Sequence, residues 1–151
     1  MDLLGTLVNR DGDPGVGVFV DGPNVFRDEF DVDLDDLRAI ASEEGVVVTA
    51  RLYFDEHATP ALIQAGEARG FEVVTTSGDV DVRLAVDATA AITAGEIDVL
   101  VIVSRDTDFK PVLERAAREG VRTVAVAPGA HGRSDALQNT AQRALTLGED
   151  G

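Results

Sequence analysis

An α/β fold, with a parallel sheet covered by helices on both faces, is predicted by three observations. Apolar runs of strand length alternate with stretches of helical periodicity along most of the chain. The run Asp98-Val99-Leu100-Val101-Ile102-Val103-Ser104 is apolar throughout its centre, as a strand buried on both faces should be. Glycine, proline or aspartate stands at nearly every junction between segments, and no internal repeat is present. At 151 residues the chain is expected to form one domain with a full core.

In chain order, residues 1–15 read as a loose lead-in or edge element. Gly17-Val18-Phe19-Val20 is the first buried strand. It stops on Asp21, and Gly22-Pro23 turns the chain so that Asp21 and Asn24 project into one crevice. Asp33-Leu34-Asp35-Asp36-Leu37-Arg38-Ala39-Ile40-Ala41 has helical spacing, an acidic first turn that complements the helix dipole, and a stop at Gly45. Val46 to Phe54 is the second strand. Thr59-Pro60 opens a helix to Gly70, since the N–H that proline lacks is not needed in a first turn. Phe71 to Thr76 is the third strand. Asp79-Val80-Asp81 starts a helix to about Ala94 that is apolar on most sides and is expected to be deeply packed. The fourth strand, Asp98 to Ser104, is broken by Arg105-Asp106-Thr107-Asp108-Phe109. A helix from Lys110 to Glu119 ends at Gly120, and Val121 to Ala127 is the fifth strand. The loop from Pro128 to Asp135 leads to a last helix near Ala136 to Leu147, and residues 148–151 form a tail.

Composition bounds the function. There is no cysteine, so neither a disulfide nor a thiolate metal site exists. No apolar run has the length of a membrane span and the N-terminus lacks a basic signal-peptide region, so a cytoplasmic protein with no membrane partner is expected. Twenty-eight acidic against 13 basic residues give a net charge of −15, and Lys110 is the one lysine. The acids, Asp35, Asp36, Glu43 and Glu44 among them, are spread along the chain as a solvating surface would be. Salt screens such self-repulsion, the Debye length falling to about 3 Å at 1 M, so a halophilic source is expected. No glycine-rich phosphate loop is present, and no organic cofactor is expected.

Four aspartates have a placement that a generic α/β domain does not require. Asp21 follows the first strand, Asp81 opens the helix after the third, and Asp106 and Asp108 follow the fourth, so all fall at the carboxyl edge of the sheet, where open α/β sheets bind ligands. Four carboxylates there repel one another unless a cation lies between them. A divalent metal meets that need, Mg²⁺ taking oxygen ligands. Two such ions are able to clamp an in-line displacement at phosphorus.

Three blocks then resemble the signature of a known family. Phe19-Val20-Asp21-Gly22-Pro23-Asn24-Val25, Val80-Asp81-Val82-Arg83-Leu84-Ala85-Val86-Asp87-Ala88 and Val101-Ile102-Val103-Ser104-Arg105-Asp106-Thr107-Asp108-Phe109-Lys110-Pro111-Val112-Leu113 are similar, in this order, to those of NYN domains, the PIN-like and LabA-related ribonuclease family. The resemblance covers residues 16–147 and points to archaeal relatives among others. It implies a three-layer PIN-like, Rossmann-like fold with about five parallel strands in the order 3-2-1-4-5. It also implies a pocket for Mg²⁺ or Mn²⁺ and hydrolysis of RNA phosphodiesters. Asp21, Asp81, Asp106 and Asp108 would be the catalytic and metal-holding acids. Asn24, Ser104, Thr107, Arg105, Lys110 and Arg133 would bind or orient substrate. A homodimer is compatible with such a small domain.

Three positions depart from the family pattern. Gly78 stands where relatives often carry a phosphate-binding lysine, Arg105-Asp106-Thr107-Asp108 replaces the usual Gly-Asp-Ser-Asp while keeping both acids, and Ala141-Gln142 replaces Ala-Asp in the last helix. Competing structural roles are plain for several residues. Asp79 and Asp81 are both placed to cap a helix. Asp87, six residues beyond Asp81, points to another side of the helix and is expected to support the site through a hydrogen bond to Ser104 or Thr107. His57 and His131 have no metal-spaced partner, and Phe109 is expected in the core. No basic stripe marks an RNA surface; the local cations are Arg27, Arg83, Arg105, Lys110 and Arg133. Besides a metal-dependent ribonuclease, a non-catalytic module that binds RNA or a regulatory protein is the alternative.

Overall fold

The computed structural model describes residues 12–25, 33–129 and 135–147. Its element order is β1 (Gly15–Asp21), α1 (Gly22–Val25), α2 (Leu34–Glu44), β2 (Val46–Asp55), α3 (Pro60–Ala68), β3 (Glu72–Thr76), α4 (Val80–Thr93), β4 (Val99–Val103), α5 (Lys110–Arg118), β5 (Arg122–Ala127), α6 (Asp135–Thr140) and β6 (Arg143–Thr146). All six strands are parallel, in the order β3-β2-β1-β4-β5-β6. The expected order 3-2-1-4-5 is present, extended by one strand.

β1 is central and fully buried, so both faces of its pleat are apolar. Val16, Val18 and Val20 point to one side, with Val99, Val101 and Val103 of β4 and Val124 and Val126 of β5, and pack against Leu34, Leu37 and Ala41 of α2. Phe19, Leu100, Ile102 and Ala125 point to the other, against Leu84, Ala88 and Ile92 of α4, Leu113 and Ala116 of α5, and Leu137 of α6. Strand periodicity of two and helix periodicity of 3.6 therefore meet in two apolar layers around one sheet. Local chemistry fixes the helix starts. Asp33 accepts the N–H of Asp35 at 2.8 Å to cap α2, and the Thr59 hydroxyl accepts that of Leu62 at 3.2 Å to cap α3.

The C-terminal segment differs from expectation. The last helix is short, and residues 143–146 form β6 instead of continuing it, paired with β5 in the register Val124↔Arg143 to Ala127↔Thr146. Two hydrogen bonds hook β6 on: Thr123 N–H donates to Gln142 Oε1 at 3.2 Å, and Gln142 N–H donates to Thr123 Oγ1 at 3.0 Å. Ala141-Gln142 thus lies in the turn before an edge strand, at the amino edge of the sheet, and Gln142 has a structural use there.

Two further expectations are corrected. Glu44 is not a solvating residue: it is buried and pairs with Arg122 (3.1 Å) and with Arg143, tying the end of α2 to β5 and β6. α4 is not packed all round, because Val82 and Val86 are 57% and 60% exposed. No described helix is long and apolar enough to cross a membrane. Replacing Glu44 with alanine is expected to lower unfolding stability by about 2 kcal/mol, read from urea melts, with the largest rise in amide exchange in β6.

Candidate metal centre

The chain leaves β1 toward β2 on one side and, by way of β3 and α4, reaches β4 on the other, so a crevice opens where the carboxyl ends of β1 and β4 diverge. Register decides what meets there. Val20 is paired with Val103, so the next residues, Asp21 and Ser104, come out side by side. Both are 1% exposed. The Ser104 hydroxyl donates to Asp21 Oδ2 at 3.1 Å and accepts the N–H of Asp106 at 3.0 Å. One small polar side chain thereby satisfies a buried carboxylate and fixes the turn that carries the next acid. Asp106 Oδ1 in turn accepts the N–H of Asp108 at 2.9 Å, which positions the turn Thr107–Phe109 ahead of α5.

Gly22 is required at the start of this crevice. A Cβ there would collide with the backbone oxygen of Tyr53 and come within 2.5 Å of the Phe54 ring. Only a glycine lets β1 turn this tightly against β2 and leave Asp21 facing the crevice.

Asp81, in the first turn of α4, completes a cluster with Asp106 and Asp108, whose carboxylate oxygens lie within 4.8 Å of one another. Asp21 lines the same crevice of about 260 Å³, together with Asp55, Asp79, Asp81 and Asp106. Among the described residues lining it, none is basic. The consequence is visible at Asp108, whose carboxyl is pushed up from its ordinary value, chiefly by the charge of Asp106, then by desolvation and by Asp81. Clustered oxygens of like charge, with no basic residue in the described lining, are a donor set that suits a hard divalent ion.

The other residues singled out from sequence are dispersed. Asn24 lies in α1 and Thr107 in the turn before α5. Arg105 is half-buried beside the crevice, and Lys110 is exposed at the start of α5. Arg27, His131 and Arg133 lie outside the described residues. Arg83 is paired with Asp87 at 3.1 Å. Phe109 is fully buried in the core.

Asp87 has other partners than expected. It accepts the phenolic O–H of Tyr53 at 2.8 Å and the Nε–H of Arg83 at 3.1 Å, and lies 3.7 Å from Arg51. Its side of α4 faces β2, so Ser104 and Thr107 are not its neighbours. Sequence reasoning misses two acids at the crevice. Asp55 ends β2 as Asp21 ends β1, and that strand-end position is the signal available for it. Asp79 occupies the capping position of α4 without making a side-chain cap bond, and it lines the crevice instead.

The NYN domain family matches residues 15–148. The chain belongs to that family. It is 40% identical over 142 residues to an uncharacterised protein of Methanocaldococcus jannaschii, covering 93% of this chain and 58% of that relative's length. A crystal structure of a protein of unknown function from Vibrio parahaemolyticus superposes with a TM-score of 0.78 at 24% identity, over 93% of this chain and 96% of the other. That likeness establishes a shared fold. NYN domains are nuclease-like, which places the acidic crevice of this chain in the setting of a hydrolase.

Two outcomes check the local geometry. Ser104→Ala removes one hydrogen bond from the Asp21 carboxylate and one from the Asp106 N–H, and is expected to cost about 1–3 kcal/mol in thermal or urea unfolding. Tyr53 is the one tyrosine of a chain without tryptophan, so phenolate absorbance reports it alone. Burial, followed by its bond to Asp87, pushes the Tyr53 phenol well above its ordinary value. The folded-state value is the raised one, so this contribution to stability is complete below about pH 10 and is lost as pH climbs toward the folded value. Tyr53→Phe should flatten that alkaline loss.

Proposed function

We propose that this NYN domain is a metal-dependent ribonuclease, and the observation that carries the proposal is the convergence of Asp81, Asp106 and Asp108 within 4.8 Å beside buried Asp21. Asp81, Asp106 and Asp108 would hold Mg²⁺ or Mn²⁺ directly. Such an ion, when bound, supplies Lewis acidity toward the phosphate and activation of the attacking water. Asp21 differs from these three. Held by Ser104 at the back of the crevice, it is the candidate to accept a proton from the attacking water. Ser104 holds Asp21 and Asp106 in a fixed relation, so the acids need not reorganise when substrate arrives. Asn24, Thr107, Arg105, Lys110 and Arg133 are the candidates for orienting the RNA backbone. Asp55 and Asp79 extend the acidic wall on the β2 side and would repel a phosphate there, which directs the strand toward Lys110.

The acid-rich, lysine-poor composition supports work at high KCl, in a halophilic archaeal cytoplasm. Phosphate contacts weaken steeply with salt, so binding there leans on the metal rather than on a basic surface. The whole-length activity of the longer Methanocaldococcus relative is not implied by this part of it.

Labelled single-stranded and structured RNA, incubated with Mn²⁺, Mg²⁺ or EDTA at low and molar KCl, tests the proposal. Cleavage is expected with metal and not with EDTA, and Asp106→Asn should lower it by at least about a hundredfold. The same variant removes charge repulsion, so its metal-free melting temperature should equal or exceed that of the wild type while the rise caused by Mn²⁺ disappears. Wild-type protein that stays folded, yet cleaves no RNA under any condition, would replace catalysis by the binding-module alternative.

A further inference from the structure

The pair α4 and α5 carries a face that the fold leaves uncovered. A groove of about 670 Å³ runs between the two helices, with Ala85, Val86, Ala90, Arg115 and Arg118 in its lining. Val86 lines it from α4 and is 60% exposed, and Val82, one turn earlier on the same helix, is 57% exposed. Two valines in water on one helical stripe set an apolar strip on the surface of a chain of net charge −15, and the charges around it show what could cover it.

The order of charges along this face identifies the occupant. α4 and α5 both run from the carboxyl edge of the sheet to its amino edge. Asp79 and Asp81 therefore lie at one end of the stripe, and Arg115 and Arg118 at the other. Among the described residues, no acid lines the groove. Arg115 pairs with Glu119 at 3.0 Å, and Arg118 makes no ion pair among the described residues. A stripe that is acidic at one end, apolar in the middle and basic at the other complements itself under a two-fold rotation.

We infer that the α4–α5 face docks a second copy of this chain, as an antiparallel two-fold pair with Val86 on the axis and each Arg118 at the acidic end of the other copy's α4. Shape agrees with charge. Residues equidistant from Val86 face each other, so Val82 meets the partner's Ala90, a large side chain against a small one. Asp79 meets the partner's Thr93, beside the partner's Arg118. The 14 residues of α4 span about 21 Å, and α5 lies alongside at a spacing of about 9 Å. A face of that length and two helices' width is smaller than standard specific interfaces bury, so the dimer is a weak one that dissociates on dilution. It also brings a cation from one copy toward the acidic crevice of the other, where the chain's own described lining offers none.

Sedimentation over a hundredfold range of concentration, at low and molar KCl, is the first measurement. The wild type should change from monomer to dimer, and Val86→Asp should raise the dissociation constant by about tenfold or more. Asp79→Arg and Arg118→Asp should each weaken the pair, and the two together should restore it. Because the chain has no cysteine, Val86→Cys introduces a single thiol on the axis. Under mild oxidation it should cross-link at concentrations where Val48→Cys, on a valine 45% exposed elsewhere, stays monomeric. The absorbance of Tyr53 verifies that each variant is folded. A wild type that is monomeric throughout overturns the inference, as does equal cross-linking of the two thiols. If Arg118→Asp weakens RNA binding of such a monomer, the groove belongs to RNA instead.

Discussion

The structure depends on mutual repulsion being held in place. Acids gather at the divergence of β1 and β4, and none of the described residues lining that crevice is a lysine or arginine. What keeps them there is the apolar sheet beneath. The Val20↔Val103 register is set by alternating valines that must all face the same helices, and a slip of one residue would turn every one of them to the wrong side. The same register delivers Asp21 and Ser104 to adjacent positions. Core packing and site geometry are consequently one decision, made by β1 and β4 together.

Ser104 is the hinge between these two levels. A buried carboxylate is costly unless hydrogen-bonded, and the hydroxyl that satisfies Asp21 also accepts the N–H of Asp106. An alanine at this position would keep the packing and lose both links. Gly22 acts on the other side of the same point, where a methyl group would push β1 away from Tyr53 and Phe54. The crevice is thus bounded by constraints from β2 and β4, and its acids are held by backbone geometry more than by one another.

How far the sequence discloses this varies with the physical signal. The strands and the positions of Asp21, Asp81, Asp106 and Asp108 at their carboxyl ends are legible because buried strands are apolar throughout and their ends are marked by acids and turns, whereas the strand order comes from the resemblance to NYN domains. β6 is not legible, since Arg143-Ala144-Leu145-Thr146 is short and follows a helical stretch without a glycine or proline; its strand state comes from pairing with β5 and from the Gln142–Thr123 hooks. Glu44 looks like a surface acid because its partners, Arg122 and Arg143, are distant in the chain. Spacing alone suggests Asp87 as a support for Ser104, but helix rotation turns it toward Tyr53, a contact that needs the packing of α4 on β2 to be seen. The open face of α4 is hidden for a similar reason: valine is read as core until its neighbours are known.

In a chain with 28 acidic residues, charge alone cannot separate a site from a surface. Separation can. Acids spread across the surface lie far enough apart for diffuse ions to screen them, the Debye length being about 3 Å at 1 M salt. Carboxylate oxygens within 4.8 Å of one another leave room between them for one desolvated ion and not for an ion atmosphere. High salt therefore relieves the surface without relieving the crevice, where the Asp108 carboxyl is pushed up first by Asp106 and where the proposed divalent ion would offset the repulsion. Screening of the acid-rich surface thus leaves the local demand of Asp81, Asp106 and Asp108 intact, which is what separates the proposed metal site from the acids that solvent surrounds.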